Sequence, residues 1–387
     1  MTRENHEPEK ESIPSRVRHA LIGAKRNVAD PSLFHKIALI PVLAWIGLGA
    51  DGLSSSSYGP PEAFVALGRH AYLAVFLALA TAITVFIISY AYTRIIEHFP
   101  GGGGGYIVAT STISDRAGVV SGAALLVDYV LTITVSIAAC AEAIFSFVPL
   151  EFQRFKLVFA VFLVLVLIIL NLRGVKESVM ILAPIFLLFI VTHVVLLGYG
   201  ILTHASNVAP VSSAIQANLT TDLATIGIIG ILAIFFRAYS LGAGTYTGIE
   251  AVANGLQIMR EPKVQTGKRT MAYMATSLAL VAGGLFFCYL LWNVVPVPGK
   301  TLNAVLAGAV FAPWALGGAF AFIVILSEGL LLMVAAQTGF IDGPRVMANM
   351  AIDSWFPRRF ASLSERLTMQ DGILLMESAA LLLLVYA

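Results

Sequence analysis

Long apolar stretches follow one another along almost the whole chain, separated by short polar segments. A hydrocarbon core about 30 Å thick is crossed by roughly 20 helical residues, and stretches of about this length predict membrane-spanning helices. Eight complete spans are expected, at residues 38–67, 72–96, 117–147, 156–172, 179–202, 224–258, 270–294 and 313–338. A ninth is expected to begin near Gly372 and to be truncated where the sequence stops.

Two of these spans, the first and the sixth, are too long and too rich in glycine to be single straight helices. The first contains Leu48-Gly-Ala-Asp51, and the sixth contains Leu241-Gly-Ala-Gly244. Each is predicted to consist of two half-helices joined by unwound backbone. Five helices separate the two breaks, and an odd offset reverses the chain direction across the membrane. The pattern therefore predicts a five-plus-five inverted repeat with a site near the midplane. Glycines that only permit close helix packing are the alternative.

The composition supports this interpretation, because 58% of the residues are hydrophobic and only 12% are charged, with a mean hydropathy of +0.87. An all-α, polytopic membrane protein is expected. The predicted division is a polar N-terminal tail (1–37), a first repeat with helices one to five (38–202), and an incomplete second repeat with helices six to nine (203–387).

The basic residues predict the orientation. Nineteen Lys and Arg residues fall on the N-terminal tail and on the loops of the same side, against four on the other side. The positive-inside rule then places the N-terminus in the cytoplasm, in a multi-pass protein of the cell inner (cytoplasmic) membrane. Arg237 lies within the sixth span, where it either pairs with a carboxylate or reaches the outer interface. The net charge of +2 indicates no nucleic-acid partner.

An acid lies at the first break. Asp51 is near mid-depth, where a charged side chain costs at least ~2.5–3.5 kcal/mol, so that a functional role is the first hypothesis. Tyr58 and the serines Ser54–Ser57 would supply hydroxyl and carbonyl oxygens, which are ligands for a monovalent cation. Each serine taken alone is better explained by a hydrogen bond to the preceding helical turn.

The third span carries an acid and two hydroxyls, Asp128, Thr132 and Ser136, spaced by four and therefore aligned on one helix stripe. Glu142 continues this stripe and is expected at the entrance of the pathway. In the second break Thr247 and Glu250 are three residues apart. Glu250 can neutralise a cation and also take up a proton, which makes it the candidate for proton coupling.

Three further polar residues, His193, Glu328 and Gln337, are predicted inside spans without a recognisable partner. The glycine-rich segment Pro100–Tyr106 lacks the residues of a phosphate loop and is interpreted as a flexible cytoplasmic linker or gate element. No Ser/His/Asp set, metal cluster or suitably spaced carboxylate pair is apparent, so neither an enzyme nor a cofactor is expected.

Several longer motifs resemble the amino acid-polyamine-organocation superfamily. They are Ala50–Gly59, Phe99–Tyr106, Asn171–Ser178, Thr247–Asn254, Phe340–Arg345 and Trp355–Phe360. Within this superfamily the chain is most similar to the KUP-type bacterial potassium importers. The resemblance implies the LeuT-like fold with broken helices one and six.

In that group the potassium site consists of a first-helix Asp and Tyr, a third-helix Asp, Thr and Ser, and a sixth-helix Thr and Glu. The matching residues here are Asp51, Tyr58, Asp128, Thr132, Ser136, Thr247 and Glu250. The resemblance thus implies K+ import with H+, a symport by alternating access, with K+ held by these residues. It also implies helices ten to twelve and a C-terminal region beyond this sequence, and a homodimer formed through that region stays open.

Two alternatives remain at this stage. An amino-acid permease of the same superfamily would hold a carboxylate and an amine at the two breaks. Three acids at the site argue against it, because like charges repel strongly in a low dielectric. A membrane-embedded sensor that binds a ligand without moving it is the second alternative. The expected partners are the lipid bilayer and a small ion.

Overall fold

The computed structural model describes residues 39–102, 104–173, 175–364 and 368–386, without the side chains of residues 175–182. The predicted N-terminal tail lies outside the described residues. The described chain is helical almost throughout. Its helices are α1 (Pro41–Gly47), α2 (Gly49–Ser54), α3 (Gly59–Leu67), α4 (Ala74–His98), α5 (Gly104–Thr112), α6 (Asp115–Phe145), α7 (Lys156–Arg173), α8 (Val175–Thr203), α9 (Val208–Thr225), α10 (Gly227–Leu241), α11 (Ala251–Asn254), α12 (Lys263–Leu291), α13 (Leu302–Phe311), α14 (Gly317–Ile352) and α15 (Gln370–Tyr386).

Seven of the described helical segments are long and apolar enough to cross a membrane. The longest, Gly49–His98, joins the predicted first and second spans through a 3₁₀ segment at Gly68–Leu73. The prediction of an all-α polytopic membrane protein is confirmed.

The first break is tighter than the predicted unwound segment. Helix α2 passes into a short 3₁₀ turn at Ser55–Ser57, and Tyr58 leaves helical geometry with φ −124° and ψ −38° before α3 begins. Pro60 and Pro61 stand at the start of α3, where a missing backbone N–H does not remove a helical hydrogen bond. The chain therefore bends here while remaining almost fully helical.

The second break is longer. Helix α10 is followed by a 3₁₀ segment at Gly242–Tyr246, an extended Thr247 with ψ 153°, and Gly248 with φ +81°. Helix α11 then has only four residues before another 3₁₀ segment at Gly255–Ile258. Backbone groups are consequently freed from the helical pattern around Thr247 and Gly248.

Three helices lie where no helix was predicted, namely α5, α9 and α13. The expectation of a flexible linker at Pro100–Tyr106 is wrong for its last part, because Gly104 begins α5. Tyr106 is 1% exposed and its hydroxyl donates to the Asp353 carboxylate at 2.6 Å, which fixes α5 to the end of α14.

The eighth span is also longer than predicted, since α14 continues to Ile352 instead of ending near residue 338. Two polar residues beyond the predicted end, Asp342 and Arg345, form an ion pair within the helix, with Arg345 Nη1 3.3 Å from Asp342 Oδ1. Because Asp342 is fully buried, this segment packs inside the protein.

The helices pack as two bodies around the broken segments. In one, α12 runs along α4 and both pack with the first-break helices around one buried apolar cluster. In the other, α14 runs along α6, and α7 and α15 complete a second cluster. Helix α2 contacts both α12 and α14. The first break therefore lies between the two bodies.

Candidate ion-binding site

The two breaks contact each other at Asp51. Gly248 approaches so closely that a Cβ on it would lie 2.6 Å from Asp51 Cγ and 2.6 Å from the Gly52 nitrogen. Its φ of +81° is also a conformation that glycine adopts at little cost. In addition, the Ser55 hydroxyl, whose one hydrogen also faces the Gly52 carbonyl oxygen, lies 2.9 Å from the Thr245 carbonyl oxygen. The sequence places glycine where the second break has to reach the first.

A second contact joins the hydroxyl residues of the two breaks. Tyr58 Oη and Thr247 Oγ1 are 3.2 Å apart. The Tyr58 ring lies against Gly244, where a Cβ would be 2.7 Å from the ring atom Cε2. Two residues predicted from separate motifs, 189 positions apart, thus share one hydrogen bond.

The predicted acids come together between the two bodies. Asp51 is 1% exposed and interacts electrostatically with Glu250 and Asp128. Asp128 and Glu250 also interact with each other. Helix α6 supplies Asp128, and the two breaks supply the other two carboxyls.

Two carboxylate oxygens in this group, Asp51 Oδ2 and Glu250 Oε1, are buried and have no hydrogen-bond partner in the described part of the chain. A buried polar group without a partner costs about 1–3 kcal/mol, and more when it is charged. These oxygens are therefore available for a proton or a cation.

Thr132 and Ser136 follow Asp128 on α6, and both are buried, Thr132 6% and Ser136 0% exposed. Ser136 Oγ is a further buried atom without a partner among the described residues. No described hydrogen bond joins Thr132 or Ser136 to the other five predicted site residues. These two hydroxyls form a buried polar stripe leading away from Asp128.

Three of the four serines at the first break donate to the preceding turn. The hydroxyls of Ser54, Ser55 and Ser56 bond to the carbonyl oxygens of residues 51, 52 and 53 at 2.7, 2.5 and 2.7 Å. Back-bonding, the simpler explanation for each serine, is therefore correct for these three. Ser57 Oγ, in contrast, is buried without a partner in the described chain. It is the serine whose hydroxyl is free to act as a ligand.

Two residues of α14 belong to this region and were not selected from the sequence. Asp342 is fully buried and interacts electrostatically with Asp51 and Glu250. Its Oδ2 and the Thr338 hydroxyl are both buried without a hydrogen-bond partner among the described residues. Their spacing of four repeats that of Asp128 and Thr132. Because the predicted eighth span ends at residue 338, the sequence pattern did not place Thr338 and Asp342 on one helix.

A cavity of about 300 Å³ reaches the site from the face predicted to be outside. Ser57 and Tyr58 line its inner part, and Glu142 lines its wall together with Lys156, to which it is bound at 3.2 Å. Glu142 thus lies at the entrance, as its position on the stripe predicts. We call this cavity the vestibule.

The opposite end of the site is covered by backbone and side-chain contacts. The Leu39 nitrogen donates to the Ile258 carbonyl at 2.8 Å, and Gln257 Nε2 donates to the Gly101 carbonyl at 2.9 Å. Asn254 Nδ2 donates to the hydroxyl of Tyr129. These hydrogen bonds join the broken segments to their neighbours on the side of the site away from the vestibule.

The polar residues predicted without partners have them. His193 pairs with Glu328, and Gln337 exchanges hydrogen bonds with Asn171. Arg237 is exposed on α10, and among the described residues no ion pair joins it to a carboxylate. Its position fits the interface alternative.

Metal coordination by the acids alone is not preformed. Across the described residues, no three His, Cys, Asp or Glu side chains are arranged to hold a metal ion. A cation here would take hydroxyl and carbonyl oxygens as well as carboxylates, which is how proteins coordinate dehydrated monovalent ions.

The spanning helices, the two interrupted segments and the enclosed polar site define a polytopic membrane protein with the fold of a secondary transporter. A solved structure supports this class. It is described as the substrate-bound outward-open state of a Na+-coupled sialic acid symporter, and it matches 96% of this chain and 76% of its own with a TM-score of 0.54. At 13% sequence identity this similarity concerns the fold alone.

The chain belongs to the amino acid permease family, whose profile matches residues 43–385. It is also 32% identical over 342 residues to the potassium transporter KimA of Bacillus subtilis, covering 87% of this chain. The match spans 55% of that relative's length. These relatives are named as a permease, a transporter and a symporter, and none is described as an enzyme.

Proposed function

We propose that the full protein imports K+ together with H+ by alternating access, using the buried oxygens between α2, α6 and the second break. The observation that carries this proposal is the pair of buried carboxylate oxygens without partners, Asp51 Oδ2 and Glu250 Oε1, beside the Tyr58–Thr247 hydrogen bond. The 32% identity to a protein named as a potassium transporter supports the choice of ion.

The charge of the site favours a cation. Asp51 interacts electrostatically with Glu250, Asp128 and Asp342, and Glu250 interacts with Asp128 and Asp342, so that four acids belong to the site. One of these acids, Asp342, forms an ion pair with Arg345. In a low dielectric, four acids remain together only when protons or cations balance their charge.

Coupling to protons follows from the charge of the site. Arg345 and a single K+ would balance two of the four negative charges, so a proton on Glu250, which interacts with Asp128 and Asp342, would lower the negative charge that remains. The proton and the cation could then be bound at the same time, as import of both in one direction requires. Glu250 would carry the proton, while Asp51 and Asp128 would act mainly as ligands.

An amino-acid permease is the second candidate, because the family profile that matches the chain is that of amino acid permeases. Such a substrate brings a carboxylate to a site that already contains four acids. Backbone amides at the breaks would have to outweigh this repulsion. The sensor alternative shares the site but lacks the change of access between the two sides.

The first experiment is uptake of radioactive rubidium, as a substitute for K+, into proteoliposomes containing the full protein. We expect uptake that responds to an imposed proton gradient. Asp128→Asn and Glu250→Gln are expected to weaken the apparent affinity by about tenfold to a hundredfold, since a hydrogen bond to a charged group contributes ~1.5–3 kcal/mol. Asp115→Asn, at the exposed start of the same helix α6, is the matched control and should behave like the wild type.

Growth of a bacterium deficient in potassium uptake provides the second experiment. The full protein should restore growth at micromolar K+, and the two site variants should not. Absence of rescue by the wild type, combined with uptake of a labelled amino acid, would instead establish the permease alternative. Ion binding by the purified protein without any uptake would establish the sensor alternative.

A further inference from the structure

The vestibule wall contains a buried acid that has no role in the site described above. Glu328 on α14 is 1% exposed and lines the vestibule. One of its oxygens, Oε1, lies 3.0 Å from His193 Nε2 and accepts a hydrogen bond from Asn303 Nδ2 at 2.9 Å. In the described part of the chain no hydrogen bond reaches the other oxygen, Oε2. Only one half of this carboxyl group is therefore occupied by protein donors.

The two donors hold the carboxyl group in one position without cancelling its charge. The Tyr289 hydroxyl on α12 donates to Asn303 Oδ1, which orients the amide so that its Nδ2 points at Glu328. A neutral imidazole is sufficient for the bond from His193, because its Nε2–H donates to an ionised carboxylate. No Lys or Arg side chain forms an ion pair with Glu328 among the described residues. The negative charge of Glu328 therefore lacks a counter-charge.

A buried carboxylate without a counter-charge is costly, because hydrogen bonds from neutral groups replace only part of its lost hydration. The other charged residues of the vestibule do not have this property. Glu142 is bound to Lys156 at 3.2 Å, and Glu62 and Lys300 are exposed, where water and salt weaken their fields. Glu328 is consequently the acid whose charge a cation in the vestibule would balance most effectively.

A second free polar atom lies in the wall of the same cavity. Ser57 lines the vestibule and is 8% exposed, and its Oγ has no hydrogen-bond partner among the described residues. The turn Ser55–Ser57 that carries it contacts α14. Hydroxyl and carboxylate oxygens are both suitable ligands for a monovalent cation. The cavity of about 300 Å³ also has room for several water molecules, each of which takes about 30 Å³.

Glu328 lies too far from the candidate site to share an ion with it. A Cβ on the neighbouring Gly329 would be 3.5 Å from the Cys140 carbonyl oxygen, so this part of α14 faces the outer end of α6. Cys140 is twelve residues beyond Asp128, about 18 Å along the helix. An ion at Glu328 is therefore a second ion. The buried Ser136 hydroxyl lies between these two levels on α6.

We propose that Glu328 Oε2, together with the Ser57 hydroxyl and water, forms a second cation site in the vestibule, which is filled before the candidate site between the breaks. The inference rests on the proposed function, in that the bound ion is the monovalent cation that the protein carries. A negative charge fixed in a cleft raises the local concentration of cations and their rate of arrival. The vestibule site therefore loads the deeper site, and its contribution is largest when the cation is scarce.

The direct test counts the ions bound by the purified full protein in equilibrium dialysis with radioactive rubidium. We expect two ions per wild-type protein at saturation and one in Glu328→Gln. This variant keeps an oxygen that accepts from Asn303 and His193 and places an uncharged amide toward the vestibule. The ion that remains bound shows that the variant is folded. Glu151→Gln, at an exposed acid on the same predicted side and outside the vestibule lining, is the matched control and should bind two ions.

The possible results separate this inference from the proposed function. An equal number of ions in the wild type and in Glu328→Gln overturns the inference and leaves the proposed function standing. Loss of every ion in Glu328→Gln, with thermal unfolding like that of the wild type, would place Glu328 in the deeper site and overturn the separate position. A wild-type protein that binds no rubidium would refute the proposed function, and the inference with it.

The rate of rubidium uptake by proteoliposomes provides a second measurement. Far below saturation, Glu328→Gln should be slower than the wild type by about tenfold, the lower end of the gain that a charged cleft gives to association. At saturation the two rates should agree within about twofold, because the deeper site and its change of access are unaltered. Added choline chloride should reduce the difference at low rubidium, since salt screens the charge. An equal reduction at both concentrations would mean that Glu328 acts only in helix packing, and it would overturn the loading role.

Discussion

The closest backbone approach in the candidate site is at Gly248, and replacing this residue by alanine tests whether the two breaks need that approach. The added Cβ would lie 2.6 Å from Asp51 Cγ and from the Gly52 nitrogen, where ordinary contacts begin at 3.4 Å. The residue would also have to keep φ +81°. A left-handed conformation costs an L-residue ~1–2 kcal/mol, and overpacking of this kind a further ~1–3 kcal/mol.

The sum, ~2–5 kcal/mol, has to appear either as lost stability or as lost binding, because the protein can relieve the clash only by moving Asp51 or the second break. The lower limit corresponds to a change of about thirtyfold in an equilibrium constant. The assays are thermal unfolding of the full protein in detergent and competition of K+ with radioactive rubidium. We expect Gly248→Ala to lower the unfolding temperature, the ion affinity, or both.

Two other glycines provide the comparison. Gly244 has an ordinary φ, and its Cβ would meet only the Tyr58 ring, at 2.7 Å, so Gly244→Ala should show the crowding effect without the backbone strain. Gly318 on α14 has nothing within 4 Å, and Gly318→Ala should be neutral or slightly stabilising. Wild-type stability and affinity in Gly248→Ala would refute the close contact between the breaks.

Three further substitutions test individual ligands by the same rubidium competition. Tyr58→Phe removes the hydroxyl bonded to Thr247 and should weaken the affinity by about tenfold, since a hydrogen bond contributes ~0.5–1.5 kcal/mol and the hydroxyl also ceases to be a ligand; an unchanged affinity would exclude it from the site. Ser57→Ala should weaken binding, whereas Ser56→Ala, whose hydroxyl bonds to its own helix, should remain within about twofold of the wild type; equal effects would contradict the assignment of Ser57. Asp342→Asn should change the affinity at constant pH by about tenfold through its charge, and no change would show that Arg345 already neutralises it.

The sequence predicts a site residue wherever an acid lies on the polar stripe of a helix or at the break of a membrane span. Interrupted spans contain Asp51, Tyr58, Thr247 and Glu250, and the structure brings them into contact or electrostatic range. Such residues are recognisable because a polar group inside an apolar segment needs a compensating partner.

Asp342 and the pair of His193 with Glu328 show what the pattern could not supply. The predicted eighth span ends at residue 338 and so leaves Asp342 outside it, and only the folded structure shows that α14 continues to Ile352. His193 and Glu328 are 135 residues apart, and nothing in the local sequence indicates that α8 and α14 are neighbours. Short-range spacing predicts which face a residue occupies but not the helix that faces it.

The same limit applies at the predicted outer surface, where α9 was not expected and Asp222 joins it to the turn between α3 and α4. Tyr72 Oη donates to Asp222 Oδ2 at 2.7 Å, and His70 Nδ1 lies 2.5 Å from the same oxygen. Arg69 Nε donates to His70 Nε2 at 3.1 Å, so that ring nitrogen is the acceptor and Nδ1 is the donor to Asp222. The hydrogen bond from Tyr72, followed by that from His70, lowers the pKa of the Asp222 carboxyl below its ordinary value.

A lowered pKa in the folded state means that the carboxylate contributes stability above the unfolded value, near pH 4, and that this contribution is lost as the pH falls through the folded pKa. We therefore expect Asp222→Asn to be less stable than the wild type at neutral pH, and the difference to shrink below about pH 4. Thermal unfolding in detergent measures it, with Asp115→Asn as the control at an exposed acid. If the stability difference between the wild type and Asp222→Asn stays the same below about pH 4, the loss comes from the altered shape of the side chain. A loss caused by the charge would disappear there, because the wild-type carboxylate is then protonated as well.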